Sequence, residues 1–396
     1  MSGSQSALRG ANRALIVDAV RRFGGLTQVE LAGTTGLSAA TVSNIVKELL
    51  GAGVVEVRTT VRSGRRAQLV TLAHRTGLAV GVHIGLRHLR ISLAAASHEV
   101  LADQTLPLPP DHRADTSLDR AALLIVDLLE RVGSALDEVL GIGIALPAPV
   151  DVATGTISVP GIMRGWDDVA VGYVMSKRLN RPVFVDNDAN LGALAESRIG
   201  ASRGYQDSVY VRASYGVGGG VVIGGQVHRG FAGTAGEIGH VQVDPGGDIC
   251  LCGSRGCLNT VVGAQALLAP LRASHGTLAL RDVIAQARAG DPGCRQIVSD
   301  AGATIGAVVA GLGMAVNPQC VVVGGELAET GEILLGPMRE AIRRRVLLNQ
   351  IAPLEVVPAD LGQDAEVMGA LLLVLSSTDL LVRAVEEEPA GRWGVG

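Results

Sequence analysis

The stretch Ala235-Gly-Glu-Ile-Gly-His240 is followed, after nine residues, by Cys250-Leu-Cys-Gly-Ser-Arg-Gly-Cys257. It contains four potential metal ligands: His240, Cys250, Cys252 and Cys257. One imidazole and three thiolates are typical of tetrahedral Zn²⁺ in a closed, structural site, and the intervening glycines permit the tight turns that such a site needs. The spacing therefore predicts structural Zn²⁺, with a set of reduced, buried cysteines as the alternative. Cys294 and Cys320 lie outside this stretch, and we expect them in the core.

On either side of this stretch, apolar segments separated by glycine turns read as two similar halves. The first half has predicted strands at 78–84, 89–94 and 100–106, a helix at 118–136 and a buried strand at 141–146. The second has predicted strands at 207–211, 219–223 and 227–228, a helix at 301–316 and a buried strand at 320–323. This internal repeat predicts a two-lobed protein with a ligand cleft between the lobes.

The first 75 residues have a different pattern, which predicts three helices. A helix over 11–23 places one apolar set on a single face: Leu15, Ile16, Ala19, Val20 and Phe23. Thr27 and Glu30 have the spacing of a capping box, Gly36 supplies a turn, and Ser38 is a good N-cap for a third helix. The third helix repeats the inward pattern with Val42, Ile45, Val46, Leu49 and Leu50.

A basic hairpin tip, 58–66, follows the third helix and completes the order of a winged helix-turn-helix. The third helix would lie in a major groove, and the wing arginines would meet phosphates or a minor groove. The residues predicted to face DNA are Ser38, Ala39, Thr41, Ser43, Asn44, Lys47, Arg65 and Arg66. A core helix with a solvated loop, or a module that docks proteins, is the alternative.

Composition and charge agree with a nucleic-acid-binding head on a different kind of body. Residues 1–75 hold ten Lys/Arg against four Asp/Glu, whereas the other 321 residues hold 24 against 34. A hydrophobic fraction of 47% excludes wholesale disorder, and nine aromatic residues argue against a protein that stacks single-stranded bases. The first residues carry no secretion signal, and the apolar stretch around 307–316 is too short to cross a membrane. We therefore expect a cytoplasmic protein with no membrane partner.

The motifs of the body resemble the ROK family (repressors, open reading frames and sugar kinases). Gly216-Val-Gly-Gly-Gly220 and Asp186-Asn-Asp-Ala-Asn190 carry this resemblance together with the two segments quoted first. It implies an α/β two-lobed actin-like ATPase (ribonuclease H-like) fold behind the N-terminal winged helix-turn-helix. We expect a DNA-binding domain at 1–75, a first lobe at 76–190, and a second lobe at 191–396 that holds the zinc motif and a C-terminal helix returning to the first lobe. The family also carries zinc at the four positions named above.

The same resemblance implies a sugar site in the cleft. Sugar contacts carry over onto Asn187, Asp188, Glu237 and His240, and the turn that ends at Gly161 aligns with a segment lining the pocket. If one imidazole nitrogen of His240 holds the metal, the other is free to meet a hydroxyl. The family usually has Glu two residues after the last cysteine, whereas this chain has Asn259, which loses a negative charge and a bidentate acceptor.

Two phosphate-binding turns depart from the pattern of the family's kinases. His83 replaces an Asp of the first turn, and Leu86 and Arg87 replace small residues there. Ser214-Tyr215 stands where the second turn favours Gly-Thr. Imidazole is a poor Mg²⁺ ligand and bulky side chains obstruct phosphate, so we expect no kinase activity although Asp188 stands at the position of the general base.

These features predict a sugar-responsive DNA-binding transcriptional repressor of carbohydrate-utilisation genes, released from its operator by the sugar. We expect double-stranded operator DNA and a small sugar effector as partners, and a homodimer or a dimer of dimers. The alternatives are a ROK sugar kinase that carries a DNA-binding head, and a regulator controlled mainly by a protein partner.

Overall fold

The computed structural model describes the backbone of residues 2–62, 65–73, 77–345 and 353–378. The side chains of residues 2–7, 61, 62 and 65 lie outside that description, so the predicted DNA contact of Arg65 does too.

The head is a winged helix, as predicted. Its elements are α1 (Ser2–Phe23), β1 (Leu26–Thr27), α2 (Gln28–Thr35), α3 (Ala39–Gly51), β2 (Val55–Arg62) and β3 (Arg65–Leu72), with β3 central in the sheet. The capping box is present: the Thr27 hydroxyl accepts from the Glu30 N–H at 3.2 Å, and the Glu30 carboxylate accepts from the Thr27 N–H at 2.7 Å. Gly36 ends α2 at a φ of 71°, where glycine is favoured.

Two details of the head prediction are wrong. Helix α1 begins at Ser2 rather than at residue 11. Leu15, on the apolar face predicted for the first helix, and Leu50, predicted to face inward from the third, are each 46% exposed. Both lie at the margin of the apolar face of their helix. The buried part of each face is narrower than the spacing of apolar residues predicts, because Ile16, Val20, Ile45 and Val46 already fill the core.

The first lobe is built on a five-stranded sheet. Its elements are β4 (Leu78–Ile84), β5 (His88–Ala95), β6 (Val100–Pro107), α4 (Ala114–Arg131), β7 (Val139–Leu146), β8 (Val150–Asp151), β9 (Thr156–Ile157), α5 (Val171–Leu179), β10 (Val183–Asn187) and α6 (Asp188–Ile199). The strand order is β10-β7-β4-β5-β6, with β4, β5 and β6 antiparallel and β4, β7 and β10 parallel. The predicted helix at 118–136 is misplaced, because Gly133, at a φ of 73°, follows the actual end of α4.

The second lobe repeats this topology. Its elements are β11 (Ser208–Ala213), β12 (Val217–Ile223), β13 (Gln226–His228), α7 (Leu258–Val262), α8 (Ala264–Leu268), α9 (Arg272–His275), α10 (Leu280–Ala289), α11 (Pro292–Val316), β14 (Cys320–Gly324), α12 (Glu332–Arg345), β15 (Glu355–Pro358) and α13 (Ala365–Ser377). The order β13-β12-β11-β14-β15 again joins an antiparallel meander to a parallel pair. The predicted two-lobed α/β fold is thereby confirmed.

Helix α13 packs on the sheet of the first lobe. A Cβ on Gly143 would lie 2.0 Å from the Ala370 carbonyl oxygen, and one on Gly81 would lie 2.5 Å from that of Val367, so β7 and β4 need glycine where the helix crosses them. Leu371 and Val374 of this helix share one hydrophobic cluster with the core of the head. The head is therefore packed on the body rather than merely tethered to it.

Helix α11 is the one helix of the described residues that is long and apolar enough to cross a membrane by those criteria alone. It has 25 residues, which exceeds the predicted apolar stretch. Val298, Ile305 and Val309 are buried in the core of the second lobe, as expected for the central helix of a globular lobe.

Candidate functional site

The four predicted metal ligands converge. His240, Cys250, Cys252 and Cys257 each offer a ligand atom, and these atoms all lie within 4.8 Å of one another. The Cys252 and Cys257 sulfurs are 3.7 Å apart, and the Cys250 sulfur is 3.5 Å from Nδ1 of His240. Thiolates about 2.3 Å from a tetrahedral Zn²⁺ lie about 3.8 Å from each other. The donor set and its spacing therefore fit a tetrahedral metal ion.

Local turns explain why these residues meet. His240 ends a single helical turn, and Cys257 stands immediately before the first residue of α7. Gly256, at a φ of 63°, brings the chain back so closely that a Cβ would lie 1.4 Å from the Asp244 carbonyl oxygen. Burial raises the pKa of the Cys257 thiol to about 11, so a bound cation is what would hold it as a thiolate at neutral pH.

His240 connects this cluster to the predicted sugar residues. Its Nδ1 faces Cys250, whereas its Nε2 lies 4.0 Å from a carboxylate oxygen of Glu237. Burial, with a smaller contribution from Asp188, raises the pKa of Glu237 to about 7. A carboxyl group that titrates near neutrality can donate to or accept from a hydroxyl. The imidazole is thus placed to bridge a metal at one nitrogen and a polar ligand at the other.

Asn187 and Asp188 stand at the junction of β10 and α6. The Asn187 side chain caps α6 by accepting from the N–H groups of Ala189 and Asn190, and it donates to the Ala148 carbonyl at 3.0 Å. Only one amide hydrogen is left for a ligand. Asp188 is buried, and its Oδ2 has no hydrogen-bond partner among the described residues. Asp188 is therefore the stronger candidate for contact with a sugar hydroxyl.

A buried ionic network surrounds Asp188. Nε of Arg212 lies 3.5 Å from Oδ2 of Asp188 and donates to Glu366 at 2.9 Å. Burial opposes ionisation of Asp188, yet Arg212 and His83 lower its pKa below the usual value. Burial likewise opposes ionisation of Arg212, but Asp188 and Glu366 raise its pKa. Asp188 and Arg212 therefore each stabilise the charged form of the other.

Sequence reasoning missed Arg212 and Glu366 as members of this site. A signal for Arg212 is present in the sequence, since it is the one charged residue of the otherwise buried strand β11. No comparable signal marks Glu366, which reaches the site because α13 crosses the sheet. His83 was noted only as a lost metal ligand; in the structure its Nδ1 lies 3.2 Å from Nε2 of His88, and its Nε2 is buried 3.7 Å from Asp188.

The other two predicted sugar residues are less clearly placed for binding. Oδ1 of Asn259 accepts from the Val217 N–H at 2.7 Å, which leaves its amide nitrogen for a ligand. Gly161 is exposed, has a φ of 81°, and donates to Asp167 at 2.7 Å. Within the described part of the chain, Gly161 shares no hydrogen bond or ion pair with the residues around Asp188.

The two turns that the sequence analysis compares with the phosphate loops of kinases are in contact across the lobes. The guanidinium of Arg87, in the β4–β5 turn, lies 5.6 Å from the ring centroid of Tyr215, in the β11–β12 turn. This is within the range of a cation–π interaction. The contact therefore joins a turn of the first lobe to a turn of the second.

The predicted DNA-facing side of α3 is accessible. Ser38, Ala39, Asn44 and Lys47 are exposed, and so is Arg66 on the wing. Thr41 and Ser43 are half-buried. The Ser38 hydroxyl accepts from the Thr41 N–H at 3.1 Å, so it caps α3. Exposed amide and ammonium groups on α3, and an exposed guanidinium on the wing, suit contact with base edges and phosphates.

Comparison with known proteins agrees with this geometry. The model of the ROK family matches residues 79–377. The chain belongs to the ROK family. A model of the MarR family matches residues 10–66, within the head. The matches thus cover both the lobes and the winged helix.

Full-length relatives combine the same two parts. The chain is 27% identical to the xylose repressor of Bacillus subtilis, over 94% of this chain and 96% of that one. It is 29% identical to the DNA-binding transcriptional dual regulator NagC of Escherichia coli, over 94% of each. A crystal structure of a ROK family transcriptional regulator, a homologue of the E. coli MLC protein, superposes with a TM-score of 0.73 at 28% identity, covering 94% of this chain and 100% of that one. Solved sugar kinases of the family share the fold of the body as well.

Proposed function

We propose that this ROK protein is a sugar-responsive DNA-binding transcriptional repressor of carbohydrate-utilisation genes. The observation that carries the proposal is the exposed polar face of α3 on a head whose core is continuous with α13 of a two-lobed body. A ligand that changes the angle between the lobes would act on α13 and, through it, on the head. Regulators with this arrangement of domains among the relatives support the assignment.

The effector site that we propose lies around Asp188. Asp188 and Glu237 would accept hydrogen bonds from sugar hydroxyls, and Nε2 of His240 would form another. Asn187 and Asn259 would each donate one amide hydrogen to the sugar. Gly161 would line the rim. We propose that the sugar releases the protein from its operator.

A repressor without kinase activity agrees with the same geometry. Arg212 lowers the pKa of Asp188, and a carboxylate with a lowered pKa is a weaker general base. The contact between Arg87 and Tyr215 supports the proposal, because both would stand in the turns expected to bind phosphate in a kinase. The alternative of a sugar kinase with a DNA-binding head requires both turns to open around ATP and Mg²⁺.

We propose that His240, Cys250, Cys252 and Cys257 hold structural Zn²⁺. A closed set of four protein ligands leaves no open position, so the ion would stabilise the second lobe rather than act on a substrate. It would also fix the orientation of the His240 ring toward the effector.

On this proposal the protein works in the cytoplasm as a homodimer, or a dimer of dimers. Two heads related by two-fold symmetry would bind the half-sites of a pseudo-palindrome, through the α3 face and the wing residues Arg65 and Arg66. We also propose that the DNA-binding domain ends near residue 75 and the first lobe near residue 190.

The decisive experiment is fluorescence anisotropy of the full chain on DNA from upstream of its own gene, titrated with xylose, glucose and N-acetylglucosamine. A repressor binds this DNA with nanomolar affinity, and one sugar weakens the binding while ATP has no effect. Sugar-dependent ATP turnover would establish the kinase. DNA binding that no sugar alters would instead indicate control by a protein partner.

A further inference from the structure

A cavity lies at the junction of head and body, and its lining includes neither Asp188 nor any of the four potential metal ligands. Its volume is about 270 Å³, and its wall combines the last turn of α1 with parts of α6, β13 and α13. Four arginines line it: Arg21, Arg22, Arg198 and Arg229. Such a concentration of guanidinium groups around a concave surface is costly unless negative charge compensates it.

Two carboxylates compensate only part of this charge. Asp18 pairs with Arg21 and, at 2.8 Å, with Arg22. Asp186 pairs with Arg229 at 2.7 Å. Among the described residues, the four guanidinium groups and these two carboxylates sum to a net charge of +2 around the cavity.

Arg198 is the one of the four arginines that forms no ion pair with these two carboxylates. Within the described residues it makes no hydrogen bond and no ion pair, and its guanidinium instead lies 5.7 Å from the ring centroid of Phe23. Burial and the nearby Arg22 lower its pKa. A half-buried guanidinium in this setting is preorganised for an anionic oxygen, because its planar donors pair with phosphate or carboxylate in a bidentate manner.

We propose that this cavity binds a small phosphate-bearing anion, with Arg198 as its main contact. A phosphoryl group carries about −1.5 to −2 charges at neutral pH, which matches the excess of +2 better than a single carboxylate does. The cavity is smaller than the roughly 300–1,000 Å³ of pockets that take drug-sized ligands, so the ligand is free phosphate or a small phosphate ester. Because α1 belongs to the head and α6 to the body, the bound anion would hold the two together.

Calorimetric titration of the full chain with orthophosphate, and separately with methyl phosphate, tests the site directly. Both titrations are run against sodium chloride at equal ionic strength, because general screening is common to all salts. We expect saturable binding that chloride does not reproduce. Orthophosphate alone would identify free phosphate as the ligand, and equal or tighter binding of methyl phosphate would identify an ester. Absence of saturable binding in both titrations would overturn the proposal.

Arg198→Met removes the charge but keeps an apolar stem against Phe23. Arg203→Met is the matched control, because Arg203 also lies over that ring, at 6.0 Å, but does not line the cavity. We expect Arg198→Met to weaken phosphate binding at least about tenfold and Arg203→Met to leave it unchanged. Equal losses in both variants would refute the assignment. Weaker DNA binding by Arg198→Met in phosphate-free buffer would also refute it, since Arg198 would then be a DNA contact.

Discussion

At the scale of single residues, the most consequential group is one that carries no motif. Arg212 lies between Asp188 and Glu366, and all three side chains are buried. Each carboxylate depends on this guanidinium, since an isolated buried charge costs several kcal/mol. Asp188 is thus one member of a buried ionic network. The charge state of Asp188 therefore depends on the position of the Arg212 guanidinium.

Arg212→Met is expected to lower the free energy of unfolding by about 3–5 kcal/mol, because it leaves two buried carboxylates unpaired. Arg178→Met is the control, since Arg178 pairs with a mostly exposed Asp119 and its loss costs at most about 1 kcal/mol. Urea unfolding at neutral pH measures both. Similar losses in the two variants would contradict the network.

The pH dependence of Arg212→Met has a defined sign. Because Arg212 lowers the pKa of Asp188 in the folded state, the wild type gains stability above the ordinary carboxyl pKa and loses it as the pH falls through the lowered value. The difference in stability between wild type and variant should therefore be largest at neutral pH and shrink in acid. Urea midpoints measured from pH 7 downward check this, and a constant difference would exclude Asp188 as the partner.

At the level of single elements, the proposed function assigns base contacts to α3 and phosphate contacts to the wing. Arg66→Ala should weaken binding to all sequences and reduce the salt slope of log K by about 0.9 if the side chain meets one phosphate. Anisotropy across a series of salt concentrations measures it. Arg295→Ala, an exposed arginine of α11, should change neither quantity. An unchanged slope for Arg66→Ala would exclude the wing from phosphate contact.

The segment that contains Cys250, Cys252 and Cys257 allows a direct test of the proposed zinc site. Cys252→Ala should abolish zinc binding. It should also abolish the sugar response, because the bound metal would no longer fix the orientation of the His240 ring. Cys320→Ala, which removes a buried thiol outside the cluster, should retain both. Elemental analysis and thermal unfolding of the two variants check this. Zinc at equal content in both would show that Cys252 is not needed as a ligand.

At the scale of the whole molecule, repression requires that two distant sites share one equilibrium. Helix α13 touches the sheet of the first lobe and the core of the head, so it provides a physical connection between cleft and DNA-binding surface. Linkage then requires reciprocity. The factor by which the sugar lowers operator affinity must equal the factor by which operator DNA lowers sugar affinity. Calorimetry with free and DNA-bound protein measures the second factor, and a sugar affinity that operator DNA leaves unchanged would show that the two sites are not coupled.

The winged helix, the repeated lobes and the cluster of potential metal ligands could all be predicted from the sequence alone. These depend on local signals: the capping box of Thr27 and Glu30, the apolar periods of the strands, and cysteines close enough in the chain for short turns to join them. The tertiary structure alone decided the contacts that are distant in sequence. Glu366 reaches Arg212 across 154 residues, and Arg198 meets the head only because α6, α13 and α1 pack together. Local periodicity specifies which face of an element is apolar, but it does not specify which charged side chains that packing brings into contact.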